Sequence, residues 1–209
     1  MVDRMHSSNG RYSRVFKPID LGPVVVPNRI FMSPHGIPLE VKSKGGDVSA
    51  EPAINRAYYF GERAAGGTGL ILHSTQIMSS QTNLAESPYL EASIPAYQRV
   101  ADEVHRHGAK IFAQIWYVNW VQKAWEKLGP EAPAMAPSAL PNLYFPGVRR
   151  AMSHREIDLM ISTYATSARH LRQSGYDGIE LHISHGSIVE RSEERRVGKE
   201  CRSRWSPHH

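Results

Sequence analysis

The feature that most constrains this chain is a rhythm in its apolar residues. Four short apolar runs recur along it: Asn28 to Pro34, Gly69 to Thr75, Lys110 to Trp116, and Gly178 to Ile183. Segments of helical spacing stand between them. Pro52 to Ala65 groups Ile54, Ala57, Tyr58 and Phe60, and Gly66 and Gly67 stop it. Pro95 to His107 places Tyr97, Val100, Ala101 and Val104 on one face, with Gly108 just past its end. Ser153 followed three residues later by Glu156 is a capping box, and it predicts a helix running to about Ser174 before Gly175. Apolar strands without strict alternation, separated by helices, predict an α/β fold with a parallel sheet covered on its faces. One connection breaks the rhythm. Between the third run and Ser153 lies a long loop containing Pro130, Pro133, Pro137, Pro141 and Pro146. Ordinary βα connections take about 2–6 residues, and longer ones are often functional.

Charge and cysteine usage narrow the function classes. The formal net charge is +5, but the last nineteen residues carry six Lys/Arg against three Asp/Glu, and without them it is +2. A near-neutral body has no electrostatic footprint for nucleic acid. The single cysteine, Cys201, lies in that tail, so the body has no disulfide framework and no thiolate nucleophile. No run approaches the ~18 apolar residues of a membrane span. Met1 to Ser13 has no apolar stretch of the secretory kind. The expectation is a cytoplasmic protein that binds neither membrane nor nucleic acid and acts on a small molecule.

In parallel α/β folds, ligands bind at the carboxyl ends of the strands. Polar residues gather there in this chain. Ser33 and His35 follow the first strand, and His73, Ser74 and Thr75 end the second. Gln114 lies late in the third with Tyr117 just beyond, and His182 and His185 close the fourth. A histidine at a strand end is more often a hydrogen-bonded structural residue, and His73 reads so. Gln114 differs, because a buried amide needs several partners, which a planar polar ligand would supply. His182 and His185 could form a metal pair, although Glu180 is the one carboxylate beside them.

Several ordered blocks resemble the Old Yellow Enzyme family of flavin oxidoreductases. They are Phe16 to Gly36, Tyr58 to Ile71, Ala136 to Leu140 followed by Arg150 to Ser153, and Gly175 to Gly186. Together they cover nearly all of residues 14–190. The resemblance implies a (β/α)8 TIM barrel with an N-terminal hairpin, holding FMN at its carboxyl rim. It implies that Ser33, Pro34, His35 and Gly36 border the flavin ring, that Thr75 approaches its edge, and that Gln114 pairs with its pyrimidine edge. His182 and His185 would hydrogen-bond the oxygen of a substrate stacked on the ring. It further implies hydride transfer from NAD(P)H through FMN to an activated C=C bond, the two imidazoles stabilising charge on the substrate oxygen as oxyanion-hole donors do. Such a donor is worth ~2.7–4 kcal/mol.

The chain also departs from that pattern. Many members carry a tyrosine two residues after the second histidine, as proton donor. Here Ser187 stands there, and Tyr117 is the substitute candidate. The Leu21 to Val24 and Pro34 to Gly36 spellings look nearest the longer members, similar to trimethylamine dehydrogenase and 2,4-dienoyl-CoA reductase. Their additional 4Fe-4S cluster and FAD region would lie outside this sequence. A barrel of this kind takes ~250 residues. The expectation is therefore the N-terminal half of the barrel over residues 1–190, truncated after about the fourth strand. Residues 191–209 resemble a translated sequencing adapter and read as a non-native tail. Such a chain, lacking the later loops that hold the FMN phosphate, is expected to bind FMN weakly and to be inactive alone, while its parent is an enzyme and allows a homo-oligomer. Two alternatives stand beside this. One is a non-functional fragment or a half-barrel that dimerises. The other is a metal-dependent hydrolase on the same barrel, using His35, His73, His182 and His185.

Overall fold

The computed structural model describes residues 12–35, 51–77, 87–117, 135–137, 139, 150–184 and 187–189. The chain enters through a hairpin, β1 (Ile19–Leu21) against β2 (Val24–Val26), antiparallel with Leu21 opposite Val24. Gly22 turns it at φ 59°, in the first of the two loop positions. A strand-matched turn of that length favours glycine there, because a side chain resists positive φ.

A four-stranded parallel sheet follows. Its strands are β3 (Phe31–Met32), β4 (Leu70–Ile77), β5 (Lys110–Tyr117) and β8 (Gly178–Leu181), neighbours in chain order. Three helices connect them: α1 (Glu51–Ala65), α2 (Ile94–Arg106) and α3 (His154–Gln173). The predicted rhythm is therefore the observed one, with shifts at the ends. The first strand is shorter than its apolar run, because Asn28 is taken by a turn. Its Oδ1 accepts from the Ile30 amide at 2.9 Å and its Nδ2 donates to the Gly67 carbonyl at 2.9 Å. The second strand is longer, running to Ile77, so His73 sits at its middle rather than its tip.

One face of the sheet carries the core. Ile71 on β4 and Ile111, Ala113 and Ile115 on β5 pack there against Phe60 of α1, Val100 and Val104 of α2, and Leu171 of α3. Phe60, Ile71, Val100, Ile111, Ile115 and Leu171 are fully buried. Each such side chain contributes about 1.5–3 kcal/mol. α3 begins on the expected capping box, with Ser153 Oγ accepting from the Glu156 amide at 3.3 Å and Glu156 Oε2 accepting from the Ser153 amide at 2.8 Å. Arg150 donates to the same carboxylate at 2.9 Å. These donors, the Arg150 hydrogen bond foremost, hold the Glu156 carboxyl down at about 2. The buried stripe of α3 includes Thr163 and Ser167, whose hydroxyls donate back to Leu159 and Thr163 carbonyls at 2.7 and 2.8 Å. That satisfies polar groups on an otherwise apolar surface.

Most of the Pro-rich loop lies outside the described residues. Its middle meets its carboxyl-terminal end, since β6 (Met135–Ala136) pairs in parallel with β7 (Arg150–Ala151). Among the described residues the sheet stays open, with β3 and β8 at its edges. Phe31 on β3, Ile179 and Leu181 on β8, and Ile183 just past β8 are exposed. No helix among the described residues is long and apolar enough to cross a membrane.

Candidate functional site

Side chains on a strand alternate between faces, and the register of a parallel sheet decides which of them meet. Ser74, Gln114 and Glu180 are register partners across β4, β5 and β8. They lie on the face opposite the core. One step toward the amino ends, Phe112 stands opposite Gly178 on this same face. A Cβ built on Gly178 would come within 2.8 Å of the Phe112 ring, so only glycine admits it. One step toward the carboxyl ends, the Trp116 and His182 rings meet edge to face at 5.6 Å. The His182 amide donates to the Ile115 carbonyl at 3.0 Å, which fixes its backbone beside β5. The result is a floor of Phe112, a polar row of Ser74, Gln114 and Glu180, and an upper wall of Trp116 and His182.

Gln114 is the most telling member. It is only 9% exposed, and its Nε2 donates to Glu180 Oε1 at 3.1 Å. An amide offers two N–H donors and two acceptor lone pairs. That bond uses one of the four. The rest meets no other hydrogen-bond partner among the described residues. A flat ring edge carrying adjacent N–H and C=O groups matches an amide in this state, so the residues present fit the pyrimidine edge of FMN.

The expected site residues divide. Gln114 and His182 share this face and the same end of the sheet. Ser33, Pro34 and His35 follow β3 at its carboxyl end, and His35 is held by Tyr59, whose hydroxyl lies 2.8 Å from its Nε2. Gly36 and His185 lie outside the described residues. Thr75 and Tyr117 are turned the other way. Thr75 is the register partner of Ile115, on the core face, and its buried hydroxyl donates to the Gln114 carbonyl at 3.0 Å. It braces the Gln114 peptide rather than facing the row. Tyr117 is buried and stacks on Tyr164 of α3, with ring centroids 6.4 Å apart. The sheet stands between its ring and His182, a correction to its expected place as a proton donor. Period-two alternation from Gln114 already puts residue 117 on the opposite face. Ser187 is buried and donates to the His182 carbonyl at 3.0 Å, so its hydroxyl anchors the turn after β8.

His73 does not belong with the other histidines named for the hydrolase alternative. Its ring lies on the core face, 4.9 Å from Phe60 and 5.7 Å from Tyr97, with Nδ1 2.6 Å from the Tyr176 hydroxyl. Burial, aided by the Arg56 charge, pushes its pKa down to about 3. His73 and His182 are on opposite sides of the sheet and cannot share a metal. Among the described residues no group of three His, Cys, Asp or Glu side chains converges. Two residues of the row, Glu180 and Trp116, were not among the expected site residues. The signal was available: each lies two positions from one that was, Glu180 before His182 and Trp116 after Gln114.

N,N-dimethylglycine/sarcosine dehydrogenase of Chromohalobacter salexigens is 28% identical over 201 residues, 90% of this chain and 27% of its own length. 12-Oxophytodienoate reductase 1 of Oryza sativa subsp. japonica is 31% identical over 147 residues, 66% of this chain and 38% of its own. Morphinone reductase, solved in complex with tetrahydroNAD, superposes with a TM-score of 0.63 at 24% identity, over 83% of this chain and 50% of its own. The chain thus spans half or less of these relatives, and its fold, an open four-stranded parallel sheet among the described residues, is like part of the solved morphinone reductase fold. The model of the NADH:flavin oxidoreductase / NADH oxidase family matches residues 14–203, past Glu190 and into the segment expected to be foreign. With nine-tenths of its length matched in this way, the chain belongs to the NADH:flavin oxidoreductase / NADH oxidase family, the Old Yellow Enzyme kind of FMN barrel.

Proposed function

We propose that this chain forms the ring-binding half of the barrel of an FMN-dependent oxidoreductase that uses NAD(P)H and a small-molecule substrate with an activated C=C bond. FMN, when bound, supplies the hydride transfer that the side chains here cannot perform. The observation that carries the reading is the Gln114 amide, with one of its four hydrogen-bonding positions filled, in line with His182 at one end of one face. Gln114 and the backbone of Ser33, Pro34, His35 and Gly36 would hold the ring. His182, with His185, would point N–H donors at the substrate oxygen, where negative charge grows as the double bond is reduced. Trp116 would steady the His182 ring through its edge-to-face contact. Neither Ser187 nor Tyr117 delivers the proton, so solvent or a residue outside the described part supplies it.

The remaining expectations join this proposal: residues 1–190 as the barrel's first half, residues 191–209 as foreign, and a cytoplasmic setting. FMN phosphate would be held by loops of later strands. A second reading rests on one observation, the match of 90% of the chain to an amine dehydrogenase. In that case the same row faces an amine being oxidised, and His182 needs no oxyanion.

The test is anaerobic and spectroscopic. The protein from the complete gene should purify yellow, bleach with NADH or NADPH, and recover its colour on adding an α,β-unsaturated ketone. Bleaching by dimethylglycine instead would select the second reading. A colourless protein that takes up no FMN would overturn both.

A further inference from the structure

We propose that Glu180 is a positioning residue that fixes the polarity of the Gln114 amide, and so decides that a carbonyl oxygen is what Gln114 offers to the N3–H of a flavin ring. The inference rests on the flavin reading above. It adds a residue and a chemical reason that the reading does not contain.

A glutamine amide has two ends of nearly equal size, and a half-turn about its last torsion exchanges them. A site that needs an acceptor at a given point must therefore say which end goes where. Glu180 does so. It is the register partner of Gln114 on the adjacent strand, and its Oε1 lies 3.1 Å from Nε2. An ionised carboxylate has only acceptors, so it can face the NH2 end and not the carbonyl. With Nε2 held by Glu180, Oε1 is turned away from β8, beside the one N–H that remains. Thr75 fixes the other end of the residue by donating to its backbone carbonyl at 3.0 Å. Gln114 is thus clamped at main chain and side chain by the strands on either side. It presents an acceptor next to a donor. The ring edge of a flavin presents the complement, an N3–H donor flanked by a carbonyl. Either group alone is common; the carboxylate beside the amide is what removes the wrong orientation.

The experiment uses the protein from the complete gene loaded with FMN labelled with 15N at N3, and reads the exchange rate of the N3–H proton by NMR. Wild type and Glu180→Asp, both acceptor-only, should protect this proton. Glu180→Gln can accept or donate, so the Gln114 amide is free to turn, and exchange should speed up roughly fivefold, the worth of one neutral hydrogen bond. Equal protection in wild type and Glu180→Gln would overturn the inference and leave the flavin reading intact. Loss of flavin from both variants alike marks a fold defect rather than an amide turn and would also overturn it. A wild-type protein that takes up no FMN overturns the underlying reading instead.

Discussion

The two ends of the parallel sheet carry similar residue types and use them in opposite ways. At the amino end, Asp177 accepts from the Ile111 amide at 2.9 Å, from Lys110 Nζ at 3.1 Å and sits 2.7 Å from His105 Nε2. Its own amide donates to the Ile111 carbonyl at 3.0 Å. Both carboxylate oxygens are occupied by groups of α2 and β5. At the carboxyl end, Gln114 has one side-chain bond and unspent capacity. A saturated polar group ties elements together; an unsaturated buried one waits for a ligand. That difference, rather than residue type, separates the stabilising end of such a barrel from its functional end.

The same contrast divides the histidines, and acid should expose it most strongly. His73 is neutral in the core, with a pKa near 3 against 6.5 when unfolded. Its folded state takes up a proton less readily than the unfolded chain, so its stabilisation is complete above pH 6.5 and is lost as pH falls toward 3. The expected loss is about 1.4 kcal/mol per pH unit across that window. Urea unfolding at stepped pH should show the slope, and His73→Leu should flatten it. An unchanged slope in that variant would assign the acid sensitivity elsewhere.

Asp177→Ala comes next. It leaves the Ile111 amide without its acceptor and should lower stability by about 2 kcal/mol. Burial raises the Asp177 pKa, but the Ile111 amide, His105 and Lys110 together outweigh it and bring the pKa below 3.8. This contribution is therefore present above pH 3.8 and is lost as pH falls through the lowered folded value. FMN affinity should not move, because the residue is at the wrong end. A drop in affinity beyond what the stability loss explains would blur the two ends.

Ser153→Ala removes the capping box of α3 and should cost ~1 kcal/mol by thermal or urea unfolding. Smallest in stability should be Gln114→Leu. The substitution takes one donor from Glu180, a carboxylate that is only partly buried and that water can reach, so the cost should stay within roughly 1 kcal/mol, yet flavin binding should fall. If Gln114→Leu instead cost as much as Asp177→Ala, the two ends would be doing the same job.

Much of this was legible in the sequence, and the limits have physical causes. The helices were readable because capping, glycine stops and apolar spacing are local: Ser153 with Glu156, Gly108 and Gly175 lie where the chain turns. Gln114 stood out because an amide in an apolar strand has no local partner. What local pattern could not supply was register. That Glu180 answers Gln114, and that Thr75 and Tyr117 turn to the core, follows from alternation only once neighbouring strands are aligned. His73 looked like a rim residue because its apolar run was taken to end at Thr75, two residues short of the strand. Its partner Tyr176 lies 103 positions away, beyond any local signal.

The most direct measurement is a crystal structure of the FMN-loaded protein from the complete gene. The account predicts the flavin ring on the face opposite α1, α2 and α3, its pyrimidine edge against Gln114 and its open side toward His182. A ring seated elsewhere, or one whose edge meets neither residue, would contradict it.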